Sequence, residues 1–297
     1  MTIPRSHEAV EAGPARRLLY FYGPSKERAM SEPAERHPIA LKKVVYEIPG
    51  MESAVVRRDV PYGTGAAAVT MDLYYPSAAA PGATLPAIVV VLGYPPREPN
   101  PLGCAFKDME WSVSWGRLIA ASGIVAIFYT NRNPEMDLRI LLSHIREHAD
   151  SLGIDRRRIG LFASSGSGPL TLSTLIAERG DFACAALCYP FTLDAGGSTS
   201  IAESAAKWGF VNPTAGKSAS DLPPDVPLFV ARAGQDEFPH LNGALDRFVA
   251  DTLARDLPMT MVNHAGAPHA FDLGHDSDAT REIIRQLLRF LQFHLRV

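Results

Sequence analysis

The sequence predicts an α/β protein whose doubly wound, mostly parallel sheet is flanked by helices. The first observation is a series of continuous apolar segments without polar alternation, which is typical of strands buried on both faces of a parallel sheet. The second is that segments with apolar residues at helical spacing lie between them, so strand and helix alternate along the chain. The third is a β-rich region that precedes them and predicts an antiparallel edge on the N-terminal side of the sheet.

Each of these observations assigns elements to particular parts of the chain. The apolar segments predict strands at residues 87–92, 124–130, 158–163, 182–190, 228–234 and 259–264. Helices are predicted at about 109–121, 137–152, 168–179, 241–256 and 277–295. The antiparallel edge is predicted from stretches rich in β-branched and aromatic residues at 42–49, 53–63 and 67–76. Residues 190–226 are too few for a large lid domain, and residues 1–40 are expected to be an N-terminal extension of one domain that spans 41–297.

The composition is that of a soluble globular protein, with 46% hydrophobic and 21% charged residues and a formal net charge of -3. Such a charge provides no basic field for a phosphate backbone, which argues against nucleic acid as a partner. The longest apolar run, 87–92, is far shorter than the roughly 20 residues that span a bilayer, and His7, Glu8 and Glu11 interrupt the region where a secretory signal would be apolar. A cytoplasmic protein without membrane association is therefore expected.

The cysteines do not indicate a metal site. Cys104, Cys184 and Cys188 are an odd number at spacings that match no zinc pattern. We expect them to be buried free thiols.

A small-residue turn joins a predicted strand to a predicted helix and has Ser165 at its tip. Such a strand–turn–helix is where a nucleophile elbow of the form G-x-S-x-G exposes its serine above the sheet. Here Ala163 and Ser167 replace the two glycines. Ser164 and Ser167 are alternative nucleophiles, but only Ser165 has a small neighbour two positions away on both sides. A flexible turn without a catalytic role would have the same composition.

The partners that a nucleophilic serine needs follow in the required order of serine, acid and histidine. Asp236 comes directly after the strand predicted at 228–234, with Glu237 as the alternative acid. His269 lies in the loop after the last predicted strand, while His264 lies at the end of that strand and is more easily explained as structural. Since all three residues follow successive predicted strands, the joint prediction is stronger than its parts.

An oxyanion hole would complete the site with two backbone N–H donors. The residue after the nucleophile, Gly166, is the first candidate. The second is expected in the loop after residues 87–92, where Pro95 and Pro96 have no N–H. Tyr94 is therefore the leading candidate, and Gly93 is the alternative.

From about Val44 onward the chain resembles the α/β-hydrolases, and within them the dienelactone-hydrolase-like branch, in RIGLFASSGSG, ARAGQDEFP and HAGAPHAFD. The resemblance implies acyl transfer to water through an acyl-enzyme, with Ser165 as nucleophile, His269 as base and acid, and Asp236 as the residue that orients the histidine. Dienelactone hydrolases proper have cysteine at the nucleophile position, where this chain has Ser165. The resemblance therefore implies a broader serine esterase that acts on a small-molecule acyl substrate without cofactor or metal.

Several aromatic residues could line a substrate pocket. Phe191, Trp208 and Phe210 lie in the segment 190–226 and fit either a pocket or a small hydrophobic core. Trp111 and Trp115 are one helical turn apart and are expected to pack in the interior.

Other functions stay open at this point. His144-Ile145-Arg146-Glu147-His148 has the H-x-x-E-H spelling of a metalloprotease helix, but it falls where a helix covering the sheet is expected. A ligand-binding protein that has kept the fold and lost catalysis is a second alternative, because both elbow glycines are replaced. A peptidase or acyltransferase could use the same triad, and a homo-oligomer is possible.

Overall fold

The structure, a computed structural model, describes residues 36–63, 69–80, 82–93, 100–130, 132–208 and 212–297. Its strands are β1 (Val55–Pro61), β2 (Thr70–Tyr75), β3 (Leu85–Val91), β4 (Val125–Tyr129), β5 (Ile154–Ser164), β6 (Cys184–Cys188), β7 (Leu228–Ala233) and β8 (Met259–His264). They form one eight-stranded sheet in the order β1-β2-β4-β3-β5-β6-β7-β8. The pairs β1–β2 and β2–β4 are antiparallel, and all other pairs are parallel. The prediction of a mostly parallel sheet with an antiparallel N-terminal edge is confirmed.

The helices lie between the strands, as the alternation predicts. They are α1 (Glu110–Ala121), α2 (Pro134–Glu147), α3 (Ala149–Leu152), α4 (Gly168–Ala177), α5 (Ser200–Trp208), α6 (Leu241–Leu253), α7 (Phe271–Gly274) and α8 (Asp278–Leu295). One continuous helix at 137–152 was expected, but it is divided because His148 leaves helical geometry, with φ −108° and ψ 16°. Helices α5 and α7 were not predicted. Between β6 and β7 the described residues contain α5 and two short 3-10 turns, and no large lid domain.

The sheet is buried between the helices. The strand β4 is buried at every position, and so is β6. Helix α1 packs on β2 and β4, while α8 packs on β5, β6, β7 and β8. The continuous apolar segments of the sequence are therefore the centre of the core.

The prediction of a strand at residues 42–49 is wrong. This segment forms no sheet pairing. It runs across helices α1 and α7 instead. The Val44 N–H donates to the Ser114 hydroxyl at 3.0 Å, and the Val45 N–H donates to the Asp272 carbonyl at 2.9 Å. Its β-branched residues bury their side chains against other elements, and composition does not distinguish that packing from a strand.

Parts of the N-terminal extension and the cysteines can be compared with the predictions. Residues 1–35 lie outside the described residues. Ile39 and Ala40, at the end of the predicted extension, pack with Leu102 and Met109.

Cys184 and Cys188 are buried free thiols as expected, whereas Cys104 is half-buried. Within the described ranges, no helix is long and apolar enough to cross a membrane.

Candidate active site

Ser165 occupies the turn between β5 and α4 with a backbone φ of 52°, in the left-handed region. A residue other than glycine costs roughly 1–2 kcal/mol there, so neighbouring contacts must hold the turn. One of them is the Phe191 N–H, which donates to the Ser165 carbonyl at 3.0 Å. The strained geometry and its support are those expected of a nucleophile elbow.

The close approach at this turn occurs at Gly168. A Cβ atom there would overlap the carbonyl oxygen of Phe191. Ala163 and Ser167, which stand at the glycine positions of the usual pattern, are buried. The replacement of both glycines is therefore compatible with the elbow, because the position that excludes a side chain lies one residue further along.

The three residues predicted to act together are joined by hydrogen bonds. His269 Nε2 lies 2.8 Å from Ser165 Oγ, and His269 Nδ1 lies 2.6 Å from Asp236 Oδ2. The side chain of Asp236 is 0% exposed and that of His269 is 1% exposed. Hydrogen bonds are stronger in such surroundings because water does not compete for the donors and acceptors.

The loop that holds Asp236 is tied to the loop that holds His269. The Gly234 N–H donates to the His264 carbonyl and the Gln235 N–H donates to the Ala267 carbonyl, both at 2.8 Å. The Phe238 N–H donates to Asp236 Oδ1 at 3.0 Å. With one carboxylate oxygen on the backbone and the other on the imidazole, the carboxylate has a single orientation.

Two aromatic rings contact the imidazole. The ring centroid of Tyr189 lies 4.7 Å from that of His269, and the centroid of Phe238 lies 4.5 Å from it. These contacts restrict the imidazole to the plane in which it reaches Ser165.

The alternative residues take no part in this chain of hydrogen bonds. Glu237 is exposed, and His264 Nε2 lies 3.0 Å from the Thr280 hydroxyl. Ser164 and Ser167 lie in the wall of the pocket beside Ser165. Among the candidate nucleophiles, only the Ser165 hydroxyl has a hydrogen bond to a histidine.

The oxyanion-hole candidates are described in part. Gly166 lies beside Ser165 in the wall of the pocket, and Gly93 is in the same wall. Tyr94, the leading candidate for the second donor, lies outside the described residues.

An apolar cavity of about 130 Å³ opens next to Ser165 and His269. Its walls are mainly aromatic and aliphatic side chains, among them Phe106, Met109, Trp111, Phe191, Phe238 and Leu273. No Lys, Arg, Asp or Glu is among its described lining residues. Phe191 lines the cavity and also belongs to a small core cluster, so both interpretations of this residue hold. Phe210 and the Trp208 side chain lie outside the described part of the chain.

Asp272 is a polar feature of this region that the sequence analysis missed. It is buried and accepts hydrogen bonds from Trp111 Nε1 at 2.7 Å and Trp115 Nε1 at 2.8 Å on Oδ2, and from the Tyr189 hydroxyl at 2.6 Å on Oδ1. Trp115 is fully buried, as expected, but Trp111 also faces the cavity. The only sequence signal for it was its position, because Asp272 ends the segment His269-Ala270-Phe271-Asp272 that carries the predicted histidine.

The H-x-x-E-H helix lies apart from this constellation. The rings of His144 and His148 stack with centroids 4.2 Å apart, and Glu147 accepts a hydrogen bond from Ser143. The described residues contain no group of three or more side chains that could hold a metal ion.

No protein-family model matches the chain, and no curated protein matches it. Solved structures do match over most of its length. An esterase from Pseudomonas putida aligns with a TM-score of 0.63 at 16% identity over 85% of this chain and 86% of its own. Esterase B from Lactobacillus rhamnosis, solved with a tributyrin phosphonate, aligns with a TM-score of 0.62 at 16% identity over 84% and 88%. A thermostable carboxylesterase from a metagenomic library aligns with a TM-score of 0.62 at 18% identity over 81% and 89%.

This chain has the α/β-hydrolase fold. In the α/β-hydrolase fold the nucleophile, acid and histidine come from loops at strand ends, in that chain order. Ser165 follows β5, Asp236 follows β7 and His269 follows β8. The hydrogen-bonded residues of this chain thus occupy the loops that the fold uses for chemistry.

Proposed function

We propose that the protein is a serine hydrolase that cleaves neutral carboxylic esters through an acyl-serine intermediate. The observation that carries the proposal is the chain of hydrogen bonds from Asp236 through His269 to Ser165. A serine hydroxyl is a weak nucleophile until a base takes its proton, and an imidazole serves as that base when a carboxylate fixes its tautomer.

In the first half of the reaction, Ser165 Oγ attacks the ester carbonyl carbon while His269 Nε2 takes the hydroxyl proton. Asp236 Oδ2 stabilises the imidazolium through Nδ1–H. The tetrahedral oxyanion accepts hydrogen bonds from the Gly166 N–H and a second backbone donor, for which we propose Tyr94 or Gly93. Collapse breaks the bond to the alkoxide, which leaves as an alcohol with the proton from His269.

In the second half, a water molecule attacks the acyl-serine carbonyl and gives a proton to His269 Nε2. Collapse of this second intermediate breaks the acyl–Oγ bond, returns the proton to Ser165 and releases the carboxylic acid. The burial of His269 and Asp236 favours both halves, because the developing charges are stabilised by fixed partners and not by mobile water.

The cavity points to a small, uncharged acyl or alcohol group. A closed apolar cavity of roughly 150 Å³ takes one benzene ring, and the cavity here is about 130 Å³. Its described walls offer no charged side chain to pair with an ionised substrate. Short aliphatic or single-ring esters therefore fit best. Membership of the dienelactone-hydrolase-like branch, a cytoplasmic location and a homo-oligomer stay predictions from the sequence.

The solved α/β-hydrolases that resemble this chain are named as esterases, which favours an ester over a peptide as substrate. The triad alone would also serve a peptidase or an acyltransferase. The alternative function outside the enzymes is a binding protein without activity. Such a protein would not need the hydrogen bond between Ser165 and His269.

The test is hydrolysis of p-nitrophenyl acetate, butyrate, octanoate and dodecanoate by the wild type and by Ser165→Ala. We expect turnover of the acetate and butyrate that exceeds that of the dodecanoate, and no turnover by a folded Ser165→Ala protein. Hydrolysis that survives in Ser165→Ala would contradict the proposed nucleophile. A wild type that hydrolyses none of the esters would favour the binding protein.

A further inference from the structure

The buried Asp272 carboxylate next to the site has three hydrogen-bond donors, all of them neutral. Trp111 and Trp115 donate to Oδ2 and Tyr189 donates to Oδ1. Within the described residues, no Lys, Arg or His lies within salt-bridge distance of Asp272. The three aromatic side chains are therefore held firmly in place around one carboxylate.

The direction of the Tyr189 hydrogen bond is fixed by the surroundings. Burial, and then the Asp272 carboxylate, raise the pKa of Tyr189 well above its usual range. The phenol therefore keeps its proton and donates it to Oδ1.

Two of the three side chains that Asp272 holds lie at the site. The Tyr189 ring contacts the His269 imidazole, and Trp111 is part of the cavity wall. Asp272 itself follows His269 by three residues and lies in the short helix α7. One carboxylate in α7, directly after the histidine loop, thus links the end of β6 with helix α1.

We propose that Asp272 is a positioning residue, which acts through Tyr189 to hold the His269 imidazole in line with Ser165. This inference rests on the proposed function, since it concerns the same triad. Asp272 is not among the described residues that line the cavity. A small displacement of a catalytic group, of about 1 Å, is enough to lower a rate on the order of 100-fold.

The test is a double-mutant cycle with Tyr189→Phe and Asp272→Asn, measured on p-nitrophenyl butyrate. Tyr189→Phe keeps the ring and removes only the donor. Asp272→Asn keeps one acceptor oxygen for the indoles and removes the acceptor that faces the Tyr189 hydroxyl. We expect each variant to lower kcat on the order of 10-fold or more while KM changes by less than about 2-fold, because the loss concerns the transition state. The double variant is expected to lose no more than the worse single variant, since both changes remove the same hydrogen bond.

Thr252→Val is the matched control for the loss of one buried hydroxyl. Thr252 is buried in α6 and donates to the Phe248 carbonyl at 2.7 Å. It should lower Tm without changing kcat. If Asp272→Asn does not fold, the comparison of Tyr189→Phe with Thr252→Val carries the test.

Three outcomes separate this inference from the proposed function. Losses of kcat in Tyr189→Phe and Asp272→Asn that are shared in the double variant support the positioning role. If kcat stays within about 2-fold of wild type while Tm falls, or if the losses add in full, Asp272 does not act through Tyr189 and only this inference is overturned. A folded wild type that hydrolyses no ester overturns the proposed function, and the positioning role with it.

Discussion

Gly168 packs against the backbone of Phe191 so closely that a methyl group on Gly168 would overlap the Phe191 carbonyl oxygen. The same part of the chain supports Ser165, since the Phe191 N–H donates to the Ser165 carbonyl. The contact between these two backbones thus fixes the turn from which Ser165 projects. It also explains how the turn can do without the glycines of the usual G-x-S-x-G pattern.

A Gly168→Ala substitution should therefore damage the site and the fold together. Relief of the overlap requires a backbone shift at the turn, and overpacking of this kind costs about 1–3 kcal/mol. We expect a loss in kcat/KM on the order of 100-fold, because the serine moves relative to His269. Urea unfolding and ester hydrolysis measure the two effects.

Gly243→Ala is the control for that substitution. Gly243 lies in α6, and an added Cβ would meet nothing closer than 3.6 Å. Alanine in a helix is favoured over glycine by roughly 0.5–1 kcal/mol, so this variant should be as stable as the wild type or more so, with unchanged activity. If Gly168→Ala behaves like Gly243→Ala, the turn is not constrained as described.

An Asp236→Asn substitution tests the acid. The amide cannot stabilise the imidazolium and favours the wrong tautomer of His269, so kcat should fall on the order of 10⁴-fold. Glu237→Gln is the matched control, because Glu237 is exposed one residue away. It should leave kcat within about 2-fold of wild type. Equal losses of kcat in both variants, or a larger loss in Glu237→Gln, would contradict the assignment of Asp236 as the acid.

The loop that carries Phe106 and Met109 is anchored by a buried ion pair. Lys107 Nζ lies 3.3 Å from Asp72 Oδ1 and 2.9 Å from Asp59 Oδ1, with the Lys107 and Asp72 side chains 5% and 0% exposed. Lys107→Met would leave the Asp72 carboxylate with the half-exposed Arg58 as its remaining ion-pair partner. Removal of one partner of a buried pair typically costs about 3–5 kcal/mol.

Chemical denaturation of Lys107→Met and of a Lys107→Met/Asp72→Asn double variant measures that cost. The double variant should recover part of the lost stability, because the buried Asp72 carboxylate that lost its lysine partner is then replaced by a neutral amide. A Lys107→Met protein as stable as the wild type would show that the pair does not support the loop.

The cysteines give a prediction that does not depend on activity. Burial raises the pKa of Cys184 to about 12, and burial and then Asp272 raise that of Cys188 well above its usual range. The reactive form of a thiol is the thiolate, so neither should react with a disulfide reagent at pH 8 in the folded protein. Cys104 is half-buried and should account for any slow reaction.

Thiol titration before and after denaturation, with Cys104→Ser as the control, checks this expectation. Rapid modification of folded Cys104→Ser protein would contradict the burial of β6. The control is the denatured protein, in which every thiol should react with the reagent.

The sequence predicted the parallel strands and the three residues of the hydrogen-bonded chain. Continuous apolar segments have few alternatives to a buried parallel strand, and Ser165, Asp236 and His269 each follow such a segment. The segment 42–49 was assigned wrongly. Its Val44 and Val45 contact α1 and α7 and do not pair in the sheet.

The role of Asp272 is not readable from local patterns. Its partners Trp111 and Trp115 lie 161 and 157 residues away along the chain, and only the folded arrangement of α1 and α7 brings them together. The same holds for Gly168, whose constraint comes from the backbone of Phe191 after β6 and not from its own turn.

The central claim is that Ser165 is a nucleophile activated by His269. The most direct measurement is exposure of the wild type, Ser165→Ala and His269→Gln to a fluorophosphonate, followed by intact-mass analysis and peptide mapping of the adduct. We predict one phosphonyl group on Ser165 in the wild type, none in Ser165→Ala, and a large drop in labelling rate in His269→Gln, with all three folded by circular dichroism. An adduct on Ser164 or Ser167, or a folded wild type that takes up no phosphonate, would contradict the account.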